Sequence, residues 1–171
     1  MDDKALTKKP ADQSLGEFIR VYGSIYEHSP WIAEGAYANR ANITTVLALH
    51  AAMKAAVASA PRDKKLALIK SHPDLACAPA EVSKLTQASV SEQKGAGLNQ
   101  CTAEEYAEFQ KLNADYKTKF GFPFIIAVKG LNRFDILKEF RRRIGNAPEE
   151  EFNTALGQID RIAYFRLMAL P

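Results

Sequence analysis

Cysteine is scarce in this chain: Cys77 and Cys101 are the only two, and neither has a CxxC neighbour or a histidine at metal-ligand spacing. A disulfide scaffold is thereby excluded, nothing argues for a structural metal, and both read as free thiols in a reducing compartment. There is also no run of about 18 apolar residues anywhere, and Met1 to Gln13 is polar and charged without an apolar core, so neither a membrane span nor a secretory leader is expected. The last residues, Ala169-Leu170-Pro171, are not a peroxisomal Ser-Lys-Leu address, and the expected compartment is the cytoplasm. Charge of one sign is not in excess either. With 23 basic and 20 acidic side chains the net charge is +3, too balanced to imply nucleic acid as partner, although small anions fit.

What remains is an ordinary globular composition, 47% hydrophobic and 25% charged over 171 residues. That is too apolar for a disordered chain and long enough to bury roughly two thirds of the unfolded surface. No internal repeat, low-complexity segment or linker interrupts it. The organisation expected is a loose tail over 1–13 followed by one domain over 14–171.

Helical periodicity fills that domain. Phe18, Ile19, Tyr22 and Ile25 share one face of a first helix. Ser29 is placed as N-cap and Pro30 as first residue of a short helix through Ala36. A wide apolar stripe from Ile43 to about Ala58 marks a core helix, with His50 beside it as a structural histidine. Asp63 to Ser71 gives a further helix. Ser89-Val90-Ser91-Glu92 and Thr102-Ala103-Glu104-Glu105 both fit the capping-box pattern. The second box opens a long helix whose Tyr106, Phe109, Leu112, Tyr116 and Phe120 form an aromatic core stripe, ended by Gly121. Asp135 to Ile144 is amphipathic, with Lys138, Arg141, Arg142 and Arg143 read as a solvated face. A last helix runs from about Ala147 to Ala169. Phe122 to Val128 is the exception: an apolar, β-branched run containing a proline, with no comparable strand to pair with. The expected class is an all-α, single-domain multi-helix bundle with one short extended apolar segment.

Four features stand apart from this framework. His72 precedes Pro73, which disfavours the α conformation, so it is expected at a helix end, extended and facing outward, either as a polar residue at the negative end of the dipole or as a group that reaches a ligand. Glu92 caps its own helix or serves a site. The extended run Phe124, Ile125, Ile126, Ala127 and Val128 must satisfy its backbone with neighbouring side chains or with a polar ligand. Arg166, at about 100° per residue, projects into the apolar face of the last helix and needs an anionic partner, internal or bound. A histidine and a carboxylate suit proton transfer, the carboxylate orienting the imidazole and holding its pKa near neutrality. From the residues alone the substrate has no name.

At these positions the chain resembles the family of 2-oxo-4-hydroxy-4-carboxy-5-ureidoimidazoline (OHCU) decarboxylases of urate breakdown. The resemblance rests on His-Pro-Asp-Leu-Ala at His72 to Ala76, Ser-x-x-Glu-Gln at Ser89 to Gln93, and Gly-Phe-x-Phe-Ile at Gly121 to Ile125. Tyr26-Glu27-His28-Ser29-Pro30-Trp31 and Arg166-Leu167 extend it over nearly the whole chain. It implies an all-α fold, a homodimer, no metal or organic cofactor, and decarboxylation yielding (S)-allantoin in purine catabolism. By position, His72 matches the catalytic histidine and Glu92 its partner. Pro73, Ser89, Val90, Ser91, Glu92 and Gln93, and the run Phe124 to Val128, match the segments that contact substrate, and Arg166 matches a family arginine. Three other classes stay in competition: a Cys/His hydrolase using Cys77 or Cys101, a hydrolase acting on the preceding 5-hydroxyisourate, and a non-enzymatic helical binding module.

Overall fold

The computed structural model describes residues 3–75 and 86–171; Ala76 and Cys77 lie outside the described residues. Among the described residues eight α-helices follow in order: α1 (Leu15–Tyr22), α2 (Trp31–Tyr37), α3 (Val46–Ser59), α4 (Arg62–Lys70), α5 (Gln87–Gly95), α6 (Ala103–Phe120), α7 (Arg133–Arg143) and α8 (Pro148–Ala169). Among the described residues the one β feature is an isolated antiparallel bridge between Ala5 and Thr45, so the class is all-α, as the periodicity requires. No described helix is long and apolar enough to cross a membrane. The chain divides into two compact units, Met1–Leu68 with Asp160–Pro171, and Ile69–Ile159.

In the first unit, α1 begins at a capping box in which Ser14 and Glu17 satisfy each other's backbone N–H groups. Gly35 lets α2 lie close on α3, since a Cβ there would stand 2.9 Å from that of Ala56. Phe18, Ile32, Leu49 and Met53 are buried in this unit's core. Two expectations need correction. Residues 4–13 are tied down and not loose: Leu6 N–H donates to Thr44 O, Val46 N–H donates to Lys4 O, and Pro10–Asp12 form a 3-10 turn. Ser29 does not cap α2 through its side chain; Pro30 occupies the N-cap, and Ser29 contributes its carbonyl to Ile32 N–H at 3.2 Å.

The second unit is organised by α6. Its Thr102–Glu105 capping box forms as the sequence predicts, and Gly121 ends the helix in the left-handed region at φ 77°. Phe109 and Tyr116 are fully buried. Tyr116 meets the ring of Phe124 at 5.4 Å, and Phe124 stacks on Phe140 of α7 at 3.8 Å. Phe109 and Tyr116 of the stripe are therefore core, whereas Tyr106, Leu112 and Phe120 are half-buried. Arg143 corrects the reading of α7's arginines as one solvated face. Arg141 and Arg142 are exposed and pair with Glu108 and Glu139, whereas Arg143 is 1% exposed and pairs with the equally buried Glu151.

Candidate active site

His72 stands two residues after the end of α4, its N–H donating to Ile69 O at 3.2 Å. Expected to face outward, it is instead only 8% exposed. The cause lies in what holds the turn after it. Gln93 Nε2 of α5 donates to Asp74 O at 3.1 Å, and Asn113 Nδ2 of α6 donates to Leu75 O at 3.0 Å. Lys117, one turn further along α6, pairs with the Asp74 carboxylate at 2.6 Å. Three side chains from two helices thus draw the His72-Pro73-Asp74-Leu75 turn inward, and the imidazole goes with it.

The helix that carries Glu92 starts earlier than its Ser-x-x-Glu pattern suggests. Thr86 is the N-cap of α5, its hydroxyl accepting from Ser89 N–H at 3.3 Å. Ser89 is therefore buried inside the first turn, and Glu92 lies beyond the position from which a capping box reaches back. Ser89, Glu92 and Gln93 fall three and four residues apart, which puts them on one side of the helix. That is the side from which Gln93 reaches the turn after His72. Val90 is partly exposed and Ser91 is exposed.

Residues 122–128 are buried without interruption and belong to no helix or strand. Two of their backbone groups are met by side chains: Arg143 Nη1 donates to Ile125 O at 2.7 Å, and Gln158 Oε1 of α8 accepts from Ala127 N–H at 2.9 Å. Val128 O accepts from Leu131 N–H at 2.9 Å in the turn that follows. Behind the segment, Glu151 accepts from Arg143 Nε at 2.8 Å, from the Tyr116 hydroxyl and from Asn146 Nδ2. Burial and the Glu151 carboxylate together push the Tyr116 phenol far above its usual range, which keeps it a proton donor to Glu151.

α6 joins these parts. Asn113 holds the turn after His72, and Tyr116, three residues later and about 4.5 Å further along the axis, packs on Phe124. The turn and the buried run 122–128 therefore meet on one stretch of one helix.

Arg166 belongs to the other unit, where its Nη1 donates to the buried Glu27 at 2.9 Å and to Ile25 O at 3.2 Å. The anion beside Arg166 is thus an internal carboxylate. His50 is also in that unit: Nε2 lies 2.9 Å from both Asp160 Oδ1 and Asp160 O, as expected of a structural histidine at a core margin. Burial pushes the Cys101 thiol up and the Glu105 charge adds to that, so Cys101 is held as a protonated thiol and does not suit nucleophilic catalysis. Cys77 lies outside the described residues.

Asn113, Arg143, Glu151 and Gln158 were not singled out by sequence reasoning, although a signal was there. Asn113 lies four after Phe109, Arg143 seven after Ile136 and three after Phe140, Glu151 four before Ala155, and Gln158 three after Ala155 and four before Ile162. Each is a polar residue at a core position of its helix, the signature that picked out Arg166.

The sequence profile described as OHCU decarboxylase matches residues 12–168. The 2-oxo-4-hydroxy-4-carboxy-5-ureidoimidazoline decarboxylase of Haloferax volcanii is 43% identical over 150 residues, covering 88% of this chain and 86% of that protein. A uric acid degradation bifunctional protein of Bacillus subtilis is 44% identical over 145 residues, which span 85% of this chain but only 28% of the longer protein. Among solved structures, a crystal structure of (S)-allantoin synthase superposes with a TM-score of 0.76 at 33% identity, covering 94% of this chain and 52% of that one. A profile match over nearly the full length, with a relative this similar over most of both chains, assigns the chain to the OHCU decarboxylase family of carboxy-lyases.

Proposed function

We propose that this protein converts 2-oxo-4-hydroxy-4-carboxy-5-ureidoimidazoline to (S)-allantoin and CO2 in urate degradation, with His72 moving the proton and Glu92 orienting the imidazole. The observation that carries the reading is the anchoring of the His72 turn by Gln93, the residue next to Glu92, at 3.1 Å from Asp74 O. An imidazole can accept one proton and return it within one turnover. The family resemblance extends the proposal to a homodimer in the cytoplasm that works without metal or organic cofactor.

The chemistry asks little more of the protein. When the C4–carboxylate bond breaks, its electron pair moves into the C4–C5 bond, and the pair of the adjacent C=N bond moves onto nitrogen, which takes up a proton. The ring is its own electron sink. A proton is then added at C5 while the 4-hydroxyl gives one up and becomes the ring carbonyl, so each turnover consumes one proton and releases one CO2. His72 takes the hydroxyl proton and delivers to C5, and the face of delivery sets the configuration of the product. Pro73 and the Ser89 to Gln93 side of α5 line the pocket. Ile126 supplies polar contacts: among the described residues its buried N–H and C=O have no protein partner, and a ligand's amide groups would satisfy them.

The test is a coupled assay starting from urate, following CO2 release and optical activity. The wild-type protein is expected to give (S)-allantoin in excess over the racemic spontaneous product. His72→Asn is expected to lose that activity by at least about 100-fold, the usual worth of a positioned acid–base group, with unchanged circular dichroism. A folded His72→Asn enzyme with near wild-type turnover would refute the assignment. Accumulation of the carboxylated intermediate by the wild type would point instead to a 5-hydroxyisourate hydrolase.

A further inference from the structure

Seven consecutive buried residues outside any helix, 122–128, must find partners for their backbone polar groups inside the protein. Among the described residues no peptide bond is cis, and in a trans peptide the C=O of one residue and the N–H of the next point in opposite directions in one plane. Ile125 C=O is thus opposed to Ile126 N–H, and Ala127 N–H to Ile126 C=O. The two outer groups are held from two helices: Arg143 Nη1 of α7 donates to Ile125 O at 2.7 Å, and Gln158 Oε1 of α8 accepts from Ala127 N–H at 2.9 Å. Ile126 N–H and C=O point away from those contacts, and no described protein group meets them.

Both side chains have fixed orientations. Ala127 N–H can only donate, so the carboxamide oxygen of Gln158 must face it. Arg143 is pinned through Nε to Glu151 at 2.8 Å, and Glu151 is pinned in turn by Asn146 at 2.9 Å and by the Tyr116 hydroxyl. The guanidinium bridges a buried carboxylate and a buried carbonyl, which a lysine's single ammonium cannot do in the same geometry.

We infer that Arg143 and Gln158 are positioning residues for the decarboxylation: by holding Ile125 O and Ala127 N–H they fix the two peptide planes that carry Ile126 N–H and C=O, and set these as a donor–acceptor pair for an amide edge of the substrate, either the ring N–H/C=O or the ureido group. The inference rests on the function proposed above. A misplaced pair would cost substrate binding first, and would let the ring turn over in the pocket, so that the proton reaches both faces of C5.

Gln158→Met is the test, because it is close in size, removes the acceptor for Ala127 N–H and leaves the Arg143–Glu151 pair intact. On freshly generated substrate, a KM increase of about tenfold with a smaller change in kcat is expected, together with a lower enantiomeric excess of allantoin and faster amide exchange over 124–128. Faster exchange with wild-type KM and optical purity would overturn the inference, since a bond that only stabilises the fold predicts that pattern. Should Gln158→Met fail to fold, Arg143→Lys takes its place: it keeps a positive charge opposite Glu151 but gives up Ile125 O, and the same KM increase is expected and the same null result decisive. A wild-type enzyme that leaves the substrate untouched is a different result, and it would refute the proposed function itself.

Discussion

Arg142 and Arg143 stand side by side in α7 in opposite environments. Arg142 is in water and pairs with Glu139 three residues before it, an exposed contact in which solvent screening and side-chain entropy cancel most of the attraction. Arg143 is sealed against Glu151, and removing it would strand a carboxylate where neither water nor another cation reaches it. Arg143→Ala is accordingly expected to lower the unfolding free energy by about 3–5 kcal/mol in urea titration, and Arg142→Ala to leave the midpoint unchanged. Equal effects would mean that Arg143 is not buried as described. Tyr116→Phe tests the same cluster from its other side. It deletes a hydrogen bond to a buried charge, and a loss of about 1.5–3 kcal/mol is expected from the same titration.

α5 shows how a local pattern can mislead about an element while the element itself is real. Ser89-Val90-Ser91-Glu92 satisfies the capping-box pattern, but Thr86 provides the cap three residues earlier, and its own N3 residue is a serine that cannot complete a box. Thr86→Ala is expected to cost about 1 kcal/mol and to speed exchange of the Ser89 amide. Retained protection at Ser89 would return the cap to the sequence-predicted position. The other helices were legible because amphipathic spacing and composition agree: α6 has its box, its aromatic stripe and its terminal Gly121, and α8 begins at Pro148 as an uninterrupted apolar face predicts. That residues 122–128 leave the helical pattern was legible from their β-branched content and their proline. The partners of their backbone were not, because Arg143 hides in a basic cluster and Gln158 is an unremarkable glutamine until α7 and α8 are folded against the segment. His72 was misjudged for a related reason. Proline fixed its backbone, but its burial depends on Gln93, Asn113 and Lys117, which are 21, 41 and 45 residues away, and no local rule sees them.

Motifs spaced across the chain carried the family assignment, since each alone is short and only their order over most of 171 residues is specific. Folding stability is a property of the same whole, and a buried source of its pH dependence lies in the unit formed by Met1–Leu68 and Asp160–Pro171. Burial pushes His50 down from its ordinary 6.5, but the hydrogen bond and charge of Asp160 outweigh that and hold it above 6.5 in the folded protein. Asp160 is pushed up by burial, yet His50 and Lys54 hold its carboxyl below the ordinary 3.8. The signs follow by linkage. A histidine raised on folding contributes stability in full below 6.5 and loses it as pH climbs through the folded value. A carboxylate lowered on folding contributes above 3.8 and loses it as pH falls through the folded value. The pair therefore stabilises most between those two ordinary values. Asp160→Asn is expected to lower Tm most near pH 5, with the difference from wild type shrinking as the pH rises past neutrality; a difference constant from pH 5 to pH 9 would show that His50 does not titrate against Asp160 on unfolding.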